Sequence, residues 1–201
     1  MAPFILVLII DTGILPGNPY VRNPTNEPSN VHGTQVAHVL SDGGLCPQVK
    51  IDSCDFIKES VARCLQKAKG YDFINLSFAG RYSWVLEEFY IKQLSNSGTV
   101  FTVAAGNDKS KDLAMDKIYP ASYFYEGMIT NFHVVTDKDY PLGNRGEGLK
   151  QEPATWYVPD GKGGMLWNSG TSYSAPSFLR KMLLKLCAEY NNKDNGLTCE
   201  Q

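Results

Sequence analysis

Four short apolar runs punctuate the chain: FILVLII at 4–10, VKIDSCDF at 49–56, FINLSF at 73–78 and TVFTVAA at 99–105. Their lengths and their content of β-branched residues predict strands. FILVLII carries no polar residue at all, the pattern of a parallel strand buried on both faces. Between these runs the apolar positions recur with helical spacing. Val61, Cys64, Leu65 and Ala68 fall at i, i+3, i+4 and i+7 between Ser60 and Lys69, and Val85, Leu86, Phe89, Tyr90 and Leu94 repeat the stripe. Near the C-terminus Phe178, Leu179, Met182, Leu183 and Leu186 share one side of a helix, while Arg180, Lys181 and Lys185 occupy the other. Strand then helix, repeated, predicts an α/β fold in three layers, with a mostly parallel central sheet and helices on both faces.

The punctuation between elements is equally plain. A loop containing Pro16, Pro19, Pro24 and Pro28 separates the first strand from His32, and 137–154 reads as a second polar, glycine-containing loop. No repeat or linker divides the chain, which reads as one domain over 1–190 followed by a polar tail over 191–201. In open parallel sheets, ligands bind outside the carboxyl ends of the strands. Asp11 directly follows the first apolar run, Gly106-Asn107 follows the fourth, and the segment from Ser77 to Gly80 closes the third. Right-handed crossovers bring these ends to one edge.

Composition excludes several classes of function. With 43% hydrophobic and 20% charged residues, the 201-residue chain has the makeup of an ordinary globular domain. Its 19 basic and 21 acidic side chains give a net charge of −2 and are mixed along the chain, so no field of one sign points to nucleic acid or anionic lipid. FILVLII lacks the basic flank and small-residue cleavage site of a secretory signal, and no apolar stretch approaches the roughly 20 residues that span a bilayer. The five cysteines, Cys46, Cys54, Cys64, Cys187 and Cys199, contain no C-x-x-C pair. Reduced thiols in a cytoplasm are the expectation. No EF-hand-like loop or dense Asp/Asn cluster suggests calcium, and no metal or cofactor is expected.

Four motifs stand at the chemically favoured positions: DTG at 11–13, HGT at 32–34, AAGN at 104–107 and GTSYSAP at 170–176. In this set and order the chain resembles the subtilisin-like serine peptidases, the subtilases, which order their triad Asp, His, Ser. The resemblance runs from Ile5 to about Leu186 and takes in NLSFAG at 75–80, YPAS at 119–122 and VPDG at 158–161. It implies a serine endopeptidase with a subtilisin-like fold, in which Ser172 attacks, His32 is the base and Asp11 orients the histidine. Asn107, with the Ser172 backbone N–H, would form the oxyanion hole. Ser77, Phe78, Ala79 and Gly80 would bind an extended peptide, and Ala104, Ala105, Gly106 and Thr171 would complete the substrate site.

The residues support these roles on physical grounds as well. A serine hydroxyl is a weak nucleophile at neutral pH and needs a base within hydrogen-bond reach, itself held by a third group. Ser172 stands at a helix start, where free N–H groups and the positive dipole end favour an oxyanion. Each motif alone has a plainer reading: capping serines, a strand-ending turn at Asp11, a turn at Gly106-Asn107, core packing at Phe78 and Ala104. His38 competes with His32, but six residues along a helix rotate a side chain by about 240°, so the two cannot face one site. Subtilases usually carry glycine at the position of His38.

Two further readings remain open at this point. The chain could be an inactive binding or scaffold module on the same fold, or an esterase or acyl transferase using the same site. The expected partner is a peptide or protein substrate, and a separate inhibitor or prodomain-like partner is unknown. Since the first strand begins almost at Met1, the chain reads as a mature fragment or as a member that folds without an attached prodomain.

Overall fold

The computed structural model of the protein describes residues 4–109, 111–126 and 129–194. Strands β1 (Ile5–Asp11), β2 (Val49–Asp55), β3 (Phe73–Leu76), β4 (Val100–Ala104), β5 (Phe132–Thr136) and β6 (Lys150–Gln151) form one sheet in the order β2-β1-β3-β4-β5-β6. All five pairings are parallel, with Val7 opposite Ile51 and Phe73, and Leu76 opposite Val103. A separate antiparallel hairpin joins β7 (Thr155–Pro159) to β8 (Met165–Ser169).

Alternation along β1 explains the three layers. Val7 and Ile9 face a cluster with Val36, Ala37 and Leu40 of α1 (His32–Ser41) and Leu179 and Leu183 of α5 (Thr171–Asp194). Leu8 and Ile10 face the opposite cluster, with Cys64 and Leu65 of α3 (Val61–Gln66) and Ile91 and Leu94 of α4 (Val85–Asn96). Burial on both faces is what an uninterrupted apolar strand requires. One helical turn, α2 (Phe56–Glu59), caps the end of β2, its first residues held by the Asp55 side chain, which accepts from the Ile57 N–H.

Several expectations need correction. The apolar stripe read in α4 is turned partly outward: Val85 is 81% exposed, Leu86 60% and Phe89 56%, while Ile91, Leu94 and Ser95 are buried. Both faces of that helix carry large apolar side chains, so periodicity alone selects the wrong one. The second polar loop is interrupted by β6, too short to leave a hydropathy signal. α5 runs through residue 190 as far as Asp194, so the start of the predicted tail is helical, and 195–201 lie outside the described residues.

The thiol expectation is overturned. Cys46 is bonded to Cys187, 141 positions away, and Cys54 to Cys64, ten positions away. Such bonds persist in oxidising compartments, so the cysteines no longer argue for a cytoplasmic location. Cys46 follows α1 and Cys187 lies on α5, so the first bond ties the distal ends of these two helices. Among the described residues no helix is long and apolar enough to cross a membrane.

Candidate active site

Asp11 is the last residue of β1 and is 1% exposed. A buried carboxylate needs partners, and this one has three. Its Oδ1 accepts from the Thr12 N–H at 2.8 Å and from His32 Nδ1 at 2.9 Å, with Oδ2 3.1 Å from the same ring nitrogen. The Thr12 hydroxyl is 3.2 Å from Oδ1.

The chain folds this way because two glycines let the end of β1 and the start of α1 touch. A Cβ on Gly33 would stand 2.3 Å from the Gly13 carbonyl oxygen, and Gly13 itself has φ +87°. Thr12 completes the join by accepting from the Gly33 N–H at 3.0 Å. DTG and HGT are thus one tertiary unit that presents His32 at the first position of α1 with Nδ1 aimed at Asp11. Burial disfavours the imidazolium, but the hydrogen bond and the charge of Asp11 outweigh it and raise the His32 pKa above the ordinary histidine value.

Ser172 is half-buried in the first turn of α5, where backbone N–H groups have no intrahelical acceptor. Pro176, four residues on, has no N–H to give to the Ser172 carbonyl. The Ser77 hydroxyl supplies the missing donor, at 2.7 Å. Ser77 is fixed in turn by the Asn75 amide at 2.8 Å, and Asn75 accepts from the Thr102 hydroxyl at 3.1 Å. A chain of polar groups through the sheet therefore seats the turn that bears Ser172.

Asn107 is anchored through its carbonyl. Oδ1 accepts from the Thr171 N–H at 2.9 Å and lies 3.0 Å from the Thr171 hydroxyl, which accepts from the Gly106 N–H at 3.0 Å. That fixes the amide orientation and leaves Nδ2 for another acceptor. A Cβ placed on Gly170 would stand 3.2 Å from both Asn107 Nδ2 and Ser172 Oγ, so glycine keeps open the space that the two atoms border. Asn144, wholly buried, braces this loop: its amide donates to the Ala105 carbonyl at 2.9 Å and its Oδ1 accepts from the Asp108 N–H at 3.1 Å.

The remaining predicted residues separate into two groups. Ser77, Phe78 and Ala79 continue from β3 at the same sheet edge, with the Phe78 ring tilted at 43° against that of Phe56, 4.8 Å between ring centroids. Ala79 faces Gly106, whose added Cβ would come within 3.2 Å of the Ala79 Cβ. Gly80 spends both backbone groups on Tyr119, donating at 2.8 Å and accepting at 2.7 Å. Ala104 packs with Val135 and Ala175, and Ala105 belongs to the core cluster on the other side of the sheet. Gly106 and Thr171 therefore border the site more directly than either alanine.

The structure brings the ends of β1, β3 and β4 and the starts of α1 and α5 to one edge. The Tyr173 ring lies 5.8 Å from that of His32, so the residue next to Ser172 touches the histidine's surroundings. Among the described residues, no hydrogen bond joins the Ser172 hydroxyl to His32. Sequence reasoning did not find Thr12, Asn75, Thr102, Asn144, Gln35 or Tyr173. Tyr173, Thr12 and Asn75 sit inside quoted motifs and Thr102 inside a quoted apolar run, whereas Gln35 and Asn144 carry no local signal. His38 lines a cavity of about 630 Å³ with Pro16, Tyr20 and Met165, apart from the Asp11 pair. No cluster of three or more His, Cys, Asp or Glu side chains suited to a metal ion occurs among the described residues.

No family model and no curated protein sequence matches the chain. Solved structures do. The nisin leader peptidase NisP from Lactococcus lactis is 18% identical with a TM-score of 0.69, covering 94% of this chain and 79% of that one. A cold-adapted subtilisin-like serine proteinase is 21% identical with a TM-score of 0.71 over 96% and 79%. The self-cleaved protease domain of PatA is 19% identical with a TM-score of 0.72 over 94% and 82%. At these identities the likeness is one of architecture: the chain has the subtilisin-like fold.

Proposed function

We propose that the protein is a serine endopeptidase that cleaves peptide bonds through an acyl-enzyme on Ser172. The observation that carries this reading is the buried Asp11–His32 contact of 2.9 Å, set beside the helix start that bears Ser172. An aspartate at Nδ1 leaves Nε2 as the free basic nitrogen of the ring. Catalytic hydrogen bonds are often long before substrate binds, so the absence of a Ser172–His32 hydrogen bond in the free protein is compatible with this reading.

In the proposed reaction His32 Nε2 takes the Ser172 proton as Oγ attacks the scissile carbonyl carbon, and Asp11 stabilises the resulting imidazolium. The carbonyl electrons move onto oxygen, which accepts hydrogen bonds from Asn107 Nδ2 and the Ser172 N–H. Collapse of this intermediate breaks the C–N bond, and His32 gives its proton to the departing amine. Water, activated by His32, then releases the acyl group and restores Ser172. The substrate would lie as an extended segment along Ser77–Ala79, binding as an added strand.

Testing a panel of peptide and ester substrates against the wild type and Ser172→Ala separates this reading from its rivals. Peptide cleavage lost in the variant supports it. Turnover confined to esters would indicate an esterase or acyl transferase, and a folded protein inert towards all of them would indicate a binding module.

A further inference from the structure

Building on the serine peptidase reading, we propose that Tyr173 is a positioning residue: its hydroxyl, through Gln35, holds the first turn of α5 at a fixed spacing from the first turn of α1 and so sets the approach of Ser172 to His32. Tyr173 is adjacent to Ser172, and Gln35 lies one helical turn beyond His32. Both are buried. The Tyr173 hydroxyl donates to Gln35 Oε1 at 2.7 Å and accepts from Asn168 Nδ2 at 2.7 Å. Gln35 Nε2 donates to the Pro159 carbonyl at 2.8 Å, and Asn168 Oδ1 accepts from the Ser169 N–H at 2.9 Å. One connected network therefore joins α1, β7, β8 and α5 on the hairpin side of the site.

Two features make this more than packing. The Tyr173 ring stands 5.8 Å from the His32 ring at an interplanar angle of 42°, so pinning the hydroxyl fixes the surface against which the imidazole rests. The donor is also insensitive to pH. Burial, then the Asp11 charge, push the Tyr173 pKa up to about 12, so the hydroxyl stays a donor across the working pH range. The disulfide between Cys46 and Cys187 ties the distal ends of these helices. The Tyr173–Gln35 bond is its counterpart at the reactive ends, where an error of an ångström in placing a nucleophile is worth about 100-fold in rate.

Phenylalanine fills nearly the same volume but cannot donate, leaving Gln35 Oε1 with only the Asn168 amide at 3.5 Å. The test compares wild type, Tyr173→Phe, Gln35→Met and the double variant. It measures the rate of Ser172 labelling by a fluorophosphonate, kcat and KM on a peptide cleaved by the wild type, and the melting temperature. Each single variant is expected to slow labelling and kcat by about 10- to 100-fold with KM nearly unchanged. The double variant should be no slower than the slower single one, since both remove one shared link. Should Tyr173→Phe fail to fold, Gln35→Met carries the same comparison. Labelling at the wild-type rate in the folded variants, losses that multiply in the double variant, or a rise in KM at constant kcat would overturn the positioning role while leaving the nucleophile assignment intact. A wild type that never labels would overturn both.

Discussion

Asp11 Oδ1 lies 2.9 Å from His32 Nδ1 although 21 positions of chain separate the two residues. The contact is set by backbone as much as by charge. Gly13 and Gly33 let the strand end and the helix start approach, and Thr12 bridges them through the Gly33 N–H. A carboxylate buried at the end of an apolar strand would cost several kcal/mol if unpaired, and its partner here is the His32 imidazole, held through Nδ1.

The raised pKa of His32 fixes the direction of the pH dependence. The base must be neutral to act, so the acid limb of kcat/KM should have its midpoint above about 6.5, the ordinary histidine value. In Asp11→Asn the hydrogen bond and charge that raise this pKa are lost while the burial that lowers it remains. The midpoint should move down, and the plateau should fall by about 10⁴-fold, the size of the loss when the aspartate of a Ser-His-Asp triad is changed to asparagine. Folding linkage has the matching sign: the raised pKa contributes stability that is complete below the unfolded value and lost as pH rises through the folded one. Rate profiles of the two proteins check this, and equal midpoints would contradict it.

Removing the Asn107 amide should act on the transition state more than on substrate binding. For Asn107→Ala, the proposed oxyanion role predicts a fall in kcat of about 10²–10³-fold with little change in KM, the size of the loss when an oxyanion-hole donor is removed. Because Oδ1 also accepts from Thr171, stability should fall by about 1 kcal/mol. Steady-state kinetics with urea unfolding separate the two effects. A drop in stability without a drop in kcat would assign Asn107 a structural role only.

Reduction should loosen the pair of helices that carry His32 and Ser172. The Cys46–Cys187 bond closes a loop of 141 positions, and replacing both cysteines by serine is expected to cost about 2–5 kcal/mol. The urea midpoint of the wild type should fall towards that of the double variant when a reductant is added. An unchanged midpoint on reduction would contradict the bond's contribution.

What could be read in the sequence followed the distance over which its causes act. β1 was legible because a short apolar run rich in β-branched residues and ended by Asp11-Thr12-Gly13 is too short for a buried helix and suits a strand covered on both faces, and the glycines of DTG and HGT mark a close approach wherever they meet. α4 was legible as a helix but not in its orientation, since Val85, Leu86 and Phe89 on one side and Ile91 and Leu94 on the other are equally apolar, and only the neighbouring layer decides which is covered. The Cys46–Cys187 bond and the pairing of Gln35 with Tyr173, 138 positions apart, depend on where whole helices come to rest. So does the bracing of Ala105 and Asp108 by Asn144. No local pattern encodes those meetings.

The most direct test of the central claim is mass spectrometry of the protein after reaction with a fluorophosphonate, with fragments mapped along the chain. A single adduct on Ser172 is expected, absent from Ser172→Ala and strongly slowed in His32→Ala. A folded wild-type protein that remains unmodified, or an adduct on Ser169, Ser174 or Ser177 in place of Ser172, would contradict it.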